Sequence, residues 1–225
     1  SLGVPAALSM ASLLVTLLNY AMFLGGLLIK LPQIIAILRT QTVTGMSEMS
    51  LVTECLACLS LCAYNSLMGH PFENWGEMAL IGAQCAVQIG LFWVLTTQAI
   101  SMAPRALGVV LVIVGSAMMA SGMFPAEWLP VLGLIPTVLG AYARVPQIIL
   151  NFRQSHTGNQ SVITWGLSLG GNAVRILTTL VSVNDVVTLA GYVVAAVLNL
   201  TLVLQILAYW SRTNEVVWAQ KGKAK

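Results

Sequence analysis

Two short stretches place polar chemistry inside otherwise apolar sequence. "KLPQIIAILR", from Lys30 to Arg39, and "RVPQIILNFR", from Arg144 to Arg153, each set a cation, a proline and a glutamine close together. A proline removes one backbone donor and clashes with the carbonyl four residues earlier, so Pro32 and Pro146 predict a kink in each helix and carbonyls without partners. Within a bilayer such groups persist only against protein or cavity water. Gln33 and Gln147, beside the prolines, can donate to those carbonyls or meet a polar ligand. The cations add anion binding to this chemistry, because Lys30 and Arg144 cost about 2.5 to 3.5 kcal/mol each in hydrocarbon unless paired or wet.

Glu54, a few residues into the next apolar span, is the expected partner of Lys30. The second stretch has Arg175 nearby but no acidic residue in Glu54's place. Arg144 and Arg175 are therefore expected to meet cavity water, a backbone carbonyl or the anionic group of a ligand such as a phosphate. Asn172 lies in "GGNAVR", where Gly170 and Gly171 permit close backbone approach, and it is expected to line the same cavity. Gln84, Gln88 and Asn199 read as interhelical hydrogen-bonding groups. The expected cavity set is thus Lys30, Gln33, Glu54, Arg144, Gln147, Asn172 and Arg175, with Pro32 and Pro146 as hinges.

Other candidate chemistries fail on context. "GLSLG" around Ser168 matches a nucleophile elbow in letters but sits in an apolar span with no histidine and acid beside it. His70 and His156 lie in links on opposite sides of the membrane. Cys55, Cys58 and Cys62 fall on one helix face and read as packing, since zinc would need a fourth ligand and thiolates in a low dielectric. No nucleotide-binding loop is present. The chain carries no catalytic constellation and calls for no metal or cofactor, although its apolar surface would admit a bound lipid or pigment.

The elements that must position these residues are membrane helices. Of 225 residues 58% are hydrophobic and 8% charged, against roughly 25% charged in soluble domains. The net charge of +3 gathers near the C-terminal "KGKAK", which suits anionic headgroups and excludes a nucleic-acid interface. Apolar runs predict seven spans, at about 12 to 38, 48 to 68, 77 to 97, 106 to 123, 129 to 151, 162 to 182 and 187 to 210. Arg39, Arg105, Arg153, Arg212, Lys221, Lys223 and Lys225 fall on one side of such a layout, and Glu73, Glu127 and Asp185 on the other. The positive-inside rule then puts the C-terminus on the cytosolic or equivalent side. Asn159 of the "NQS" sequon lies on that side and Asn199 of "NLT" within a span, so neither is expected to carry a glycan. A chain starting at Ser1 fits a removed presequence or a fragment.

Aligning Lys30 with Arg144 also pairs Pro32 with Pro146, Gln33 with Gln147 and Arg39 with Arg153; after one gap, Gly45, Ser47 and Ser50 meet Gly158, Ser161 and Thr164. The repeat covers the end of one span, a link and the start of the next. It predicts an all-α polytopic protein of two parallel three-helix bundles joined by helix 4. The expected segments are 1–105 (a lead-in and the first unit), 106–128 (linker helix), 129–210 (second unit) and 211–225 (positively charged tail).

The duplicated "LPQ" and "VPQ" segments resemble those of the PQ-loop repeat proteins, which include lysosomal amino-acid transporters and are similar in fold to SWEET sugar transporters. "KLPQ", the Gly-Met-Ser to Glu54 stretch, "PFENWGE", "HTGNQSVIT" and "GGNAVRILTTL" look most like the mannose-P-dolichol utilization defect 1 family. That resemblance, running from about residue 24 to 210, implies an ER membrane protein needed for the use of dolichol-linked mannose and glucose. It implies a non-enzymatic carrier or chaperone whose partners are membrane lipids and a dolichol-linked sugar. Some PQ-loop amino-acid transporters bear a proton-coupling acid in the sixth span; Leu167 stands there, which argues against proton-driven amino-acid export. The alternative is a structural or pigment- or lipid-binding subunit of a larger complex in another organelle membrane, a plastid included.

Overall fold

A computed structural model describes residues 3–43, 46–96, 102–158 and 160–223. Gly45, Asn159 and Lys225, which entered the repeat, sequon and charge arguments, lie outside the described residues. The chain is an all-helical polytopic membrane protein. Nine α-helices appear among the described residues: α1 (Gly3–Leu28), α2 (Leu31–Thr40), α3 (Glu48–Leu67), α4 (Gly76–Leu95), α5 (Met102–Ala120), α6 (Leu129–Gln154), α7 (Val162–Thr178), α8 (Val186–Ala208) and α9 (Trp210–Lys223). Six segments are long and apolar enough to cross a bilayer, the first of them joining α1 and α2. The apolar part of α5, Arg105–Met119, is shorter.

The chain divides into two compact units, Asn19–Pro136 and Thr137–Lys225 with Ser1–Leu18. Within the first, α3 packs on α4; within the second, α7 packs on α8. Local geometry repeats along with the letters. Ser47 and Ser161 cap α3 and α7 by accepting from the backbone N–H of Ser50 and Thr164, at 3.4 and 3.3 Å. Helices α2 and α6 each run into a left-handed residue, Gln41 at φ 52° and Ser155 at φ 53°, so both proline-bearing helices stop at the same repeat position. The second helix of each half likewise leads into a left-handed residue, Gly69 at φ 70° or Asn184 at φ 51°. Glycine or asparagine is what that conformation favours.

The expectation of matched helix breaks holds in one copy only. Between α1 and α2 the helix is interrupted at Ile29 and Lys30, with Pro32 in the first turn of α2, where its missing N–H costs nothing. In the second copy α6 runs unbroken through Pro136 and Pro146. The two places differ too in what meets each cation.

Candidate functional site

In the first unit the break is filled by one side-chain amide. In an unbroken helix the Lys30 N–H would reach the carbonyl of Gly26. Instead Gln84 of α4 stands between them: its Oε1 accepts from the Lys30 N–H at 3.2 Å and its Nε2 donates to the Gly26 carbonyl at 2.8 Å. Gly26 permits the approach of α4, because a Cβ there would lie 2.7 Å from Glu77 Cβ. Released from the helix, Lys30 extends its ammonium to Glu54 Oε2 of α3 at 2.5 Å, with the lysine side chain 14% exposed and the glutamate 41%. The expected ion pair is formed. Next to it Gln88, fully buried, donates to Gln33 Oε1 at 2.9 Å.

The second unit builds the corresponding place without an acid. Glu54 lies seven residues after the capping Ser47, and Ser168 lies seven after Ser161. Ser168 spends its hydroxyl on the Thr164 carbonyl of its own helix, at 3.0 Å. Arg144 donates through Nε to Asn199 Oδ1 at 2.7 Å and through Nη1 to the Gly140 carbonyl at 3.0 Å. Its guanidinium carbon stands 6.0 Å from the centre of the Trp165 ring, within cation–π range. Asn199 is fully buried and its Nδ2 has no acceptor among the described residues. One unused amide donor beside a half-buried cation and an aromatic plane forms an arrangement suited to an anionic or strongly polar group.

From Gln147 a ladder of amides continues along the second unit. Gln147 Nε2 donates to Asn151 Oδ1 at 2.9 Å, Asn151 Nδ2 donates to Gln205 Oε1 at 3.0 Å, and Gln160 Nε2 donates to Asn151 Oδ1 at 2.8 Å. Gln205 closes the ladder on the Ile148 carbonyl at 3.0 Å. Asn151 is fully buried. The repeat position matching it in the first unit is Ile37, in an apolar cluster with Val43, Leu51 and Phe92.

The predicted set therefore separates. Lys30, Glu54 and Gln33 gather in the first unit; Arg144 and Gln147 anchor networks in the second. Asn172 donates to the Ser168 carbonyl of its own helix at 2.9 Å, and Arg175 is buried in the last turn of α7, before the π-helical turn Thr179–Val183. Pro32 and Pro146 flank the two cations as expected. Sequence reasoning placed Gln84, Gln88 and Asn199 only as generic interhelical donors, and it passed over Asn151, Gln160 and Gln205. Asn151 was detectable as the amide four residues after Gln147, on the same helix face.

A second charged contact also went unforeseen. Arg105 grips Glu48 through Nε at 2.7 Å and Nη2 at 2.8 Å, while the Trp93 indole donates to Glu48 Oε1 at 2.5 Å. It ties α5 to the ends of α3 and α4. Both charges lie next to links assigned to the same side, which is the signal that could have revealed it.

A profile of the PQ loop repeat matches residues 14–74 and 128–188. Solute carrier family 66 member 3 of Homo sapiens is 26% identical over 182 residues, covering 80% of this chain and 87% of that protein. The solved structure of a eukaryotic SWEET transporter has a TM-score of 0.66 at 14% identity, covering 88% of this chain and 99% of the other. At that identity the likeness concerns the fold.

Proposed function

Because the chain belongs to the PQ-loop repeat family, we propose that it is a non-enzymatic membrane carrier that moves or presents a polar, anionic solute, and that its solute is a lipid-linked sugar phosphate of the dolichol type. A solute carrier among its relatives supports the transport half of this reading. One observation carries the anionic half. Lys30 has its counter-ion inside the protein, whereas Arg144 is held by the neutral Asn199 and the Gly140 carbonyl. A cation kept in membrane sequence costs free energy that an arriving phosphate would offset. Asn199 Nδ2 adds a donor and Trp165 a plane beside it.

Such a carrier works by letting the loaded and empty states differ in stability. An anion bound at Arg144 neutralises the charge and favours the state in which the site is closed, with the break at Ile29 and Lys30, just before Pro32, as the hinge. The test is transfer of a short-chain polyprenyl-phosphate-mannose across proteoliposomes. Arg144→Gln should lower the rate at least tenfold, the scale expected for losing one charge-assisted contact of about 1.5 to 3 kcal/mol, and Arg144→Lys should restore part of it. Wild-type rates in a folded Arg144→Gln protein would sink the proposal.

A further inference from the structure

The two repeat cations differ in how many charges meet them. In the first unit the count is one to one, the Lys30 ammonium on the single carboxylate of Glu54. In the second, Arg144 is held by Asn199, the Gly140 carbonyl and the Trp165 ring, all of them neutral. Among the described residues no other charged side chain hydrogen-bonds to, pairs with or stacks on Arg144, Asn199 or Trp165. The other cations of α6 and α7 stand well along their helices. Arg153 follows Arg144 by nine residues and Arg175 follows Trp165 by ten, about 13 and 15 Å at the helical rise. The site therefore holds one positive charge.

Arg144 lies ten residues before the end of α6, in a segment long and apolar enough to cross the bilayer, which puts it about 15 Å from that end. At such a depth net charge of either sign is costly. A monoanion at Arg144 leaves the site neutral, as Glu54 leaves Lys30. A dianion leaves one negative charge without a counter-ion, and a group so placed takes up a proton instead. Phosphates divide on this point. A phosphodiester carries one charge at neutral pH, whereas a phosphomonoester loses a second proton at a pKa of about 6 and approaches two.

We propose that the Arg144 site selects by valence: it takes singly charged anions, and so among phosphates it binds the phosphodiester and rejects the phosphomonoester dianion. This rests on the carrier reading and sharpens its ligand from anion to monoanion, whether the phosphodiester is free or borne by a lipid. The surrounding helices contribute no pH response of their own near neutrality. The ionisable side chains of α6, α7 and α8 are Tyr142, Arg144, Arg153, Arg175 and Tyr192. These helices carry no histidine, carboxylate, lysine or thiol, so the residue types that titrate near neutral pH are absent from all three. A change in binding between pH 5 and pH 8 then reports the charge of the ligand.

The test measures binding by calorimetric titration in micelles of a polyoxyethylene detergent, which bring no phosphate of their own. Two pairs of ligands differ by a single methyl group: dodecyl methyl phosphate against dodecyl phosphate, and dimethyl phosphate against methyl phosphate. At pH 8 the diester should bind at least tenfold tighter than its monoester, of which only about one molecule in a hundred is singly charged there. At pH 5 the preference should shrink to about threefold or less, with the affinity of the diester unchanged. Binding of the dodecyl pair alone reports a lipid-borne ligand, and binding of both pairs a phosphate recognised by itself. Arg144→Gln should weaken the diester at least tenfold; should that variant fail to fold, the comparison of esters on the wild-type protein still decides valence. A monoester bound as tightly as the diester at pH 8, and lost in Arg144→Gln, overturns the monoanion assignment and leaves the carrier reading standing. Absence of saturable binding by either ester, or binding indifferent to Arg144→Gln in folded protein, overturns both.

Discussion

The two halves of the molecule begin from the same device and reach opposite electrostatic states. In the first, Lys30 is neutralised by Glu54, the helix is cut, and Gln84 fills the cut with one amide. Beyond it Ile37, Val43, Leu51 and Phe92 form an apolar core. In the second, Ser168 stands in place of Glu54, α6 stays whole, and Arg144 keeps its charge among neutral acceptors. Asn151 replaces Ile37 and extends polarity along the unit. The difference teaches that a duplicated fold retains its turns and caps while its counter-ions diverge. On the proposed reading, the cation with an internal carboxylate is structural and the one without is the one a ligand meets.

The sharpest way to break this comparison is to make the halves alike. Ser168→Glu would give Arg144 a counter-ion of the kind Lys30 has. It should reduce transfer of the anionic substrate at least tenfold while leaving the thermal unfolding midpoint in detergent unchanged or raised; unimpaired transfer would show that Arg144's charge is not what the substrate uses. The converse change, Lys30→Met, strands Glu54 without its cation. A fully buried pair broken this way costs about 3 to 5 kcal/mol, and with Glu54 41% exposed a loss of about 1 to 2 kcal/mol is expected. Lys30→Met with Glu54→Gln should recover most of it, and additive losses in that double-mutant cycle would mean the pair is not coupled.

Gln84→Leu tests the cut itself. It leaves the Lys30 N–H and the Gly26 carbonyl without their partner, so a destabilisation of about 1 to 2 kcal/mol is expected, together with faster hydrogen exchange at Lys30. Gln84→Asn should rescue only part, since the shorter amide reaches one of the two groups. An unchanged exchange rate in Gln84→Leu would show that the break does not depend on α4.

Much of this was legible in the letters, and the limits have physical reasons. Seven apolar runs, the repeat and the Lys30–Glu54 pair follow from hydropathy and from the cost of a charge in lipid, which depend on residue type more than on detail. The unequal fate of the two prolines does not, because each stands two residues after a cation and directly before a glutamine, while the contacts that differ, Gln84 on the backbone at Lys30 and Asn199 on the Arg144 side chain, come from tens of residues away. Asn172 stands close to Arg175 along the chain, but its amide donates to the Ser168 carbonyl four residues back on its own helix, a contact that spacing alone does not report. The Glu48–Arg105 contact needed the path of α5, which no periodicity reports.

The smallest effect separates the halves by two glycines at the same repeat position. Replacing a helical glycine by alanine stabilises by about 0.5 to 1 kcal/mol where there is room. At Gly26 there is none: the added Cβ would stand 2.7 Å from Glu77 Cβ and 3.2 Å from the Glu77 backbone, which cannot turn away. Gly26→Ala should therefore lower stability by about 1 kcal/mol net, strain of ~1 to 3 kcal/mol exceeding the helical gain. At Gly140 the nearest atom is Arg144 Nη1, 2.9 Å away and at the end of a flexible side chain. Gly140→Ala should leave the unfolding midpoint unchanged or slightly higher, yet displace the guanidinium from its carbonyl and slow transfer about threefold, as losing ~0.6 kcal/mol of orientation would. Equal destabilisation by the two substitutions would mean that the second unit is packed as tightly around its cation as the first, and that Arg144 has no freedom to receive a ligand.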